Sequence, residues 1–253
     1  VTRVFQDVPS WIHKRETLLH GKSLGFIPTM GALHAGHASL VERSKRENDL
    51  TLVSIFVNPT QFNDPKDLEK YPRTFEADLK ILSEAGADFL LYPQSTDLYP
   101  DQYRYRMQEN DLAKHLCGAH RPGHFDGVLS IVMKLLNIAQ ADHAYFGEKD
   151  YQQYLLIQGM VEAFFHKTKI IGCPTIREAD GLAMSSRNTL LSPDDRKKAP
   201  RFPQILQSSQ SIDAIQKQLT EEGFVVDYIE ERFGRRFGAV KMGSVRLIDN
   251  VKI

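Results

Sequence analysis

The feature that most limits how this chain can fold is an alternation running through its first two-thirds. Short runs rich in β-branched and aromatic residues (Leu24–Pro28, Leu50–Val57, Asp88–Tyr92, Ala144–Phe146 and Thr168–Cys173) alternate with longer helical patterns at Gly36–Asn48, Thr74–Ala85, Val128–Ala139 and Tyr151–Phe165. Strand-period and helix-period segments in strict succession predict parallel β-α-β units, hence an α/β fold with a doubly wound parallel sheet. Thr74–Ala85 places Phe75, Leu79 and Leu82 on one face, with Gly86 where a helix C-cap belongs. Tyr103, Tyr105 and Met107 alternate with polar residues and predict a half-exposed strand over 102–108. In such sheets ligands bind beyond the carboxyl ends of the strands, which is where the chemistry is sought.

The pattern changes near Leu190. Ser192 and Pro193 form a helix start, with Asp195 as a weaker stand-in for the Glu of a capping box. Two alternating segments follow, Phe224–Ile229 and Ser244–Ile248. Residues 1–188 are therefore read as a catalytic domain and 189–253 as a small C-terminal α+β domain. A chain of 253 residues can bury a core without staples. Its 32 basic and 32 acidic residues balance, which argues against a broad footprint for nucleic acid or a membrane surface but leaves room for a local cationic pocket. Cys117 and Cys173 are far apart in sequence and make no disulfide framework. There is no signal-peptide h-region and no run approaching the ~18 apolar residues of a membrane span, so a cytoplasmic location is expected.

The segment Pro28-Thr-Met-Gly-Ala-Leu-His-Ala-Gly-His37 follows a strand and opens a helix. His34 and His37 lie three apart on the first turn, so both can face one ligand, and Gly36 lets the backbone approach closely. The free N–H groups and positive end of the helix favour phosphate, and two imidazoles beside them suit a phosphate whose charge shifts during transfer. Gln61, in Val57-Asn-Pro-Thr-Gln, lies at the next strand's carboxyl end and offers both a donor and an acceptor.

Glu76 and Asp78 open a helix, where acids complement the dipole. Read more sharply, they help hold Mg²⁺, which commonly takes one or two carboxylates plus substrate phosphates. Arg121, in a Gly/Pro-punctuated loop, suits a bidentate hold on a carboxylate or phosphate. In Gly147-Glu-Lys-Asp-Tyr-Gln-Gln153, Lys149 supplies a compact cation, and Gln152 and Gln153 point to different sides of the helix, so at most one faces a ligand. Met184-Ser-Ser-Arg187 forms a polar loop suited to close over a nucleotide.

Taken together and in this order, these motifs resemble the pantothenate synthetase (pantoate–β-alanine ligase) family over most of residues 20–192 and again at Gly243-Ser-Val-Arg-Leu-Ile-Asp-Asn250. The resemblance implies a Rossmann-like catalytic domain of the H-x-G-H nucleotidyltransferase type, a smaller C-terminal lid domain and a homodimer. It also implies ATP with Mg²⁺ as cofactors, with pantoate and β-alanine as further substrates, joined through a pantoyl adenylate. By matching motif it assigns ATP contacts to Met30, Gly31, Ala32, Leu33, His34, Ala35, Gly36 and His37, with His37 as proton donor. It adds Gly147, Glu148, Lys149, Asp150, Ile176, Met184, Ser185, Ser186 and Arg187 on the nucleotide side. Catalytic roles fall on His34, His37, Lys149, Ser185, Ser186 and Arg187. Gln61 and Gln153 hold pantoate, Gln61 also lies near β-alanine, and Tyr71 and Arg121 line the substrate region.

Two departures stand out: Ala77 sits between the acids Glu76 and Asp78, and the C-terminal domain is short around Gln207–Ile212. Three other readings compete with the ligase. A nucleotidyltransferase acting on a phosphorylated acceptor would share H-x-G-H, but the neutral Gln61 and Gln153 suit a hydroxy acid better. A tRNA-binding relative of the H-x-G-H synthetases is opposed by neutral charge and the lack of an anticodon-binding domain. A catalytically dead nucleotide binder is opposed by the intact His, Lys, Ser and Arg set.

Overall fold

The computed structural model describes residues 1–253. The elements run β1 (Arg3–Phe5), α1 (Val8–Leu19), β2 (Leu24–Thr29), α2 (Ala35–Glu47), β3 (Leu50–Ile55), α3 (Pro65–Lys70), α4 (Phe75–Ala85), β4 (Phe89–Leu91) and α5 (Ser95–Leu98). They continue as α6 (Cys117–His120), α7 (His124–Ala139), β5 (His143–Gly147), α8 (Tyr151–Ala163), β6 (Lys169–Cys173), α9 (Pro193–Lys198), α10 (Arg201–Leu206) and α11 (Ile212–Glu221). The chain closes with β7 (Val225–Arg232), β8 (Arg235–Met242) and β9 (Val245–Lys252).

Six parallel strands form the first sheet in the order β1-β4-β3-β2-β5-β6. The chain winds outward from β2 through β3 to β4, then returns to place β5 on the other side of β2. The crevice between the ends of β2 and β5 is thus the topological switch point, where open α/β sheets bind ligands. β2 and β3 are buried almost throughout, as expected of strands covered on both faces. α7 packs an apolar stripe including Val128, Ile131, Val132, Leu135 and Leu136 into the main core. Gly86 ends α4 at φ 86°, in the left-handed cap its sequence position predicts.

Several elements escape the sequence pattern. α1 is mostly exposed and docks through Trp11, which is wholly buried, packs edge-on against Phe5 at 5.4 Å between ring centres and donates its indole N–H to the Ile138 carbonyl. α7 begins at His124, one turn ahead of the apolar stripe. The expected strand over 102–108 does not form. Gln102 and Tyr103 adopt positive φ (54° and 63°), the Tyr105 N–H is captured by the Asp101 carboxylate, and Met107 N–H bonds Ser130 Oγ rather than a neighbouring strand. The alternation there reflects Tyr103 stacking on Tyr99 at 4.3 Å, not a pleat.

Beyond the junction, β7, β8 and β9 form an antiparallel sheet covered by α10 and α11 around a second core of 13 buried residues, Phe202, Leu206, Ile215 and Leu219 among them. Ser192 caps α9 by accepting from the Asp195 N–H. This sheet is not isolated from the first unit: Tyr228, Phe237 and Ala239 pack into the main core.

Candidate active site

A cleft of about 240 Å³ opens at the switch point. One wall comes from the end of β2 and the start of α2, the opposite wall from the end of β5 and the start of α8. Met30, His34, Gly36 and His37 face Gly147, Lys149, Asp150 and Gln153 across it. Met184, Ser185, Ser186 and Arg187 form its rim, and Val128, Ile131, Val132 and Leu135 of α7 give it an apolar floor.

The two histidines cap α2 reciprocally. His34 Nδ1 accepts from the Gly36 N–H at 3.1 Å, and His37 Nδ1 accepts from the His34 N–H at 3.3 Å. This is a capping box built from imidazoles instead of Ser and Glu. An Nδ1 that accepts cannot carry the proton, so each ring is held as the Nε2–H tautomer with that donor left for the cleft. Both rings stay neutral at physiological pH. Burial, then the nearby Lys149 charge, pulls His34 down to about 4, and burial, then His34, pulls His37 down to about 3. Gly36 is required by packing: a Cβ there would sit 2.8 Å from His34 Cε1 and push the ring away.

The turn ahead of the box is left-handed at two successive residues, Gly31 (φ 82°) and Ala32 (φ 50°). Asp78, only 2% exposed, compensates the strained alanine. Its Oδ2 accepts from the Ala32 N–H at 2.9 Å, and its Oδ1 accepts from the Leu33 N–H at 2.8 Å and the Thr74 hydroxyl at 3.1 Å. Successive amides converging on one anion form a nest, here filled by a carboxylate of the protein itself.

On the rim, Ser185 Oγ accepts from the Arg187 N–H. Arg187 bonds Asp67 at 3.1 Å and lies over the Tyr71 ring. At the Gln61 end of the cleft, Asn58 is 1% exposed and donates from one amide to Gln61 Oε1 (3.1 Å) and the Gly127 carbonyl, while accepting from the Tyr99 hydroxyl at 2.7 Å. It fixes the Gln61 amide at the cleft wall. His124 bonds the Gln61 carbonyl through Nδ1 at 2.8 Å, so its Nε2 faces Arg121 as an acceptor at 3.0 Å. Burial and Arg121 hold His124 down at about 3.

Across residues 1–252 the chain matches the family described as pantoate-beta-alanine ligase. It belongs to that family. A pantothenate synthetase of Legionella pneumophila is 54% identical over 248 residues, covering 98% of each chain, and one of Bdellovibrio bacteriovorus is 54% identical over 231 residues, 91% of this chain and 92% of that one. The Francisella tularensis pantoate-beta-alanine ligase, solved with beta-gamma ATP and β-alanine, superimposes with a TM-score of 0.95 at 41% identity over 100% of this chain and 98% of that one. Pantothenate synthetase from Thermus thermophilus gives 0.90 at 38% identity, covering 99% of both chains.

In this ligase the expected site residues divide clearly. Met30, His34, Gly36, His37, Gln61, Tyr71, Gly147, Lys149, Asp150, Gln153, Ile176 and Met184–Arg187 all line the cleft. Gln152 turns inward: its Oε1 accepts from the Cys117 N–H, and its amide N–H groups donate to the Leu112 and His115 carbonyls. Leu33 joins the core beside β2, and Ala35 is exposed, so neither side chain reaches the cleft. The Glu148 side chain turns away to Arg235 at 2.5 Å.

The expected Glu76–Asp78 metal pair does not assemble. Two residues apart on a helix, the side chains point to different sides. Glu76 is exposed, while Asp78 is buried against the turn. Arg121 lies off the main cleft in a side pocket shared with His124, Lys149, Asp150 and Gln153, with no acidic side chain in ion-pair contact. Burial, with Arg187 and Arg246 near it, lowers its pKa to about 10. Asn58, His124 and the C-terminal residues that hold Glu148 were missed, because each works through a partner that is distant in sequence.

Proposed function

We propose that the cleft condenses pantoate with β-alanine at the expense of ATP, through a pantoyl adenylate. The reading is carried by the juxtaposition of two neutral Nε2–H imidazoles with Lys149 on the phosphate side and two neutral glutamine amides on the other. A carboxylate oxygen of pantoate attacks the α-phosphorus of ATP, and the bond to the bridging oxygen breaks to release pyrophosphate. The residues contribute alignment and charge stabilisation rather than a covalent intermediate. His34 and His37 donate to phosphate oxygens, Lys149 neutralises accumulating negative charge, and Ser185, Ser186 and Arg187 cover the departing pyrophosphate. Gln61 and Gln153 pair with the hydroxyl groups of pantoate, and the α7 floor suits its dimethyl carbon. The free amine of β-alanine then attacks the acyl carbon, loses a proton and expels AMP. Apolar walls around the adenylate exclude water that would otherwise hydrolyse it.

The residues present fit Mg²⁺ in one way. No cluster of three acidic, His or Cys side chains could cage a metal alone. Asp78 is buried against the Gly31–Ala32 turn and does not line the cleft, whose one carboxylate is Asp150. An ion carried mainly by triphosphate oxygens, with Asp150 as the one protein carboxylate near it, would match magnesium's preference for few protein ligands. Its chemistry would be to offset phosphate charge. Family membership also supports a homodimer, which light scattering on the purified chain would test.

The deciding assay is ATP–pyrophosphate exchange with Mg²⁺ and D-pantoate, with and without β-alanine. Exchange that requires pantoate alone, followed by AMP and pantothenate when β-alanine is added, supports both steps. Folded, ATP-binding protein that shows no pantoate-dependent exchange would rule the reading out.

A further inference from the structure

We propose that Asp249 and Asn250, adjacent on β9, are positioning residues that fix the spacing between the two nucleotide-facing walls of the cleft. The proposal rests on the nucleotide-site reading above and goes beyond it. Neither side chain lines the main cleft, and both residues are 3% exposed. Neighbours on a strand point to opposite faces, so one dipeptide can grip two different loops.

Asp249 grips the wall that leads to the rim. Its carboxylate takes two bonds from Arg177, at 2.6 and 3.0 Å. Arg177 in turn donates to the Gly181 carbonyl at 3.1 Å and bridges to Ala183. That closes the turn from which Met184 donates its N–H to the Ile176 carbonyl at 3.0 Å, immediately before Ser185 and Arg187. Asn250 grips the opposite wall. One amide nitrogen donates to the carbonyls of both Glu148 (2.8 Å) and Lys149 (3.0 Å). Its Oδ1 accepts from Arg235 at 2.7 Å, and Arg235 also binds the Glu148 carboxylate and lies 4.0 Å from the Tyr151 ring centre.

Cohesion between the two halves does not require these bonds, because Tyr228, Phe237 and Ala239 already bury apolar surface in the main core. What the buried polar groups add is direction: they hold main-chain atoms of Lys149 and, through Arg177, of Ile176–Met184 in one frame. The phosphate cation and the rim that covers the phosphates are thereby referenced to the same two residues. The C-terminal sheet is on this view part of the site's scaffold and not only a cover.

The test uses the full chain with Asn250→Asp, Asn250→Ala and Asp249→Asn. Leu247→Ala, an apolar truncation on the same strand that packs into the second core and makes none of the clamp's hydrogen bonds, serves as the structural control. ATP·Mg²⁺ binding by calorimetry, KM and kcat for pantoate-dependent pyrophosphate exchange, and thermal melting are measured for each. Misplacing a reacting group by about 1 Å costs on the order of 100-fold, and the three clamp variants should lose activity on that scale, with a weakened hold on ATP and a smaller change in KM for pantoate. Leu247→Ala should melt lower yet keep its affinity for ATP. Clamp variants that bind ATP like the parent, or that lose affinity only in proportion to melting temperature as Leu247→Ala does, would overturn the proposal. Because ATP binding is read directly, the result stands even if the parent protein proves inactive with pantoate.

Discussion

The His34 amide donates to His37 Nδ1 at 3.3 Å, while His34 Nδ1 receives the Gly36 amide at 3.1 Å. The helix cap and the cleft-facing donors are thus one device: the bonds that end the helix also set which nitrogen of each ring carries the proton. His37→Ala should abolish this at one stroke. Removing a donor aimed at developing charge costs on the order of 100- to 1000-fold in kcat. The lost cap costs only about 1 kcal/mol of stability. Pyrophosphate exchange measured beside a melting curve separates the two, and a folded His37→Ala variant with near-normal exchange would remove His37 from the mechanism.

Stability should fall on the acid side. His34, His37 and His124 have pKa values lowered from 6.5 to about 4, 3 and 3. Above pH 6.5 folded and unfolded chains carry these rings neutral alike. As pH drops through the window from 6.5 to about 4, the unfolded chain takes up protons that the fold refuses, so stability is lost by at most about 1.4 kcal/mol per pH unit for each ring. Urea midpoints at pH 7 and pH 5 measure this, and His124→Asn should flatten the dependence. An identical slope in that variant would contradict the assignment.

Asp78→Ala should collapse the turn that delivers the imidazoles. It strands the buried Leu33 amide and the Ala32 amide, and each unsatisfied group costs about 1–3 kcal/mol. A lower melting temperature with weakened ATP binding, present even without Mg²⁺, is the expected outcome. Loss confined to Mg²⁺-containing assays would instead make Asp78 purely a metal ligand.

Arg121 sits in the side pocket with Lys149 and Gln153, and neither carboxylate of that pocket, Asp150 or Asp249, is in ion-pair contact with it. A guanidinium there suits the carboxylate of the incoming amino acid. Arg121→Lys should therefore impair amide formation more than adenylation, seen as a raised KM for β-alanine of about tenfold, as expected for one lost charge-assisted bond of about 1.5 kcal/mol. Equal losses in exchange and in overall synthesis would place Arg121 in the first step.

The parallel sheet and the histidine wall of the cleft could be read from local signals, namely strand and helix periods, a glycine at a close approach and a histidine pair on one turn, whereas Tyr71, Ile176 and the Met184–Arg187 rim followed from the family resemblance. What escaped rests on long-range pairing. β8, which the sequence pattern did not single out, carries Arg235 and Arg236 at its start, and both are buried and pinned by Asn250, Glu148, Glu231 and main-chain carbonyls. Glu76 and Asp78 looked alike in sequence, and only the turn at Gly31–Ala32 gives one of them a task. The Tyr103–Met107 alternation mimicked a strand because side chains, not backbone bonds, organise that stretch.

The entry of Tyr228, Phe237 and Ala239 into the main core has a consequence for how the chain melts and how it can be trimmed. Although the molecule has separate cores, a cut at residue 188 would strip apolar cover from the larger one and leave Arg177 without its buried carboxylate. The two parts should therefore unfold together, and calorimetry should record a single transition.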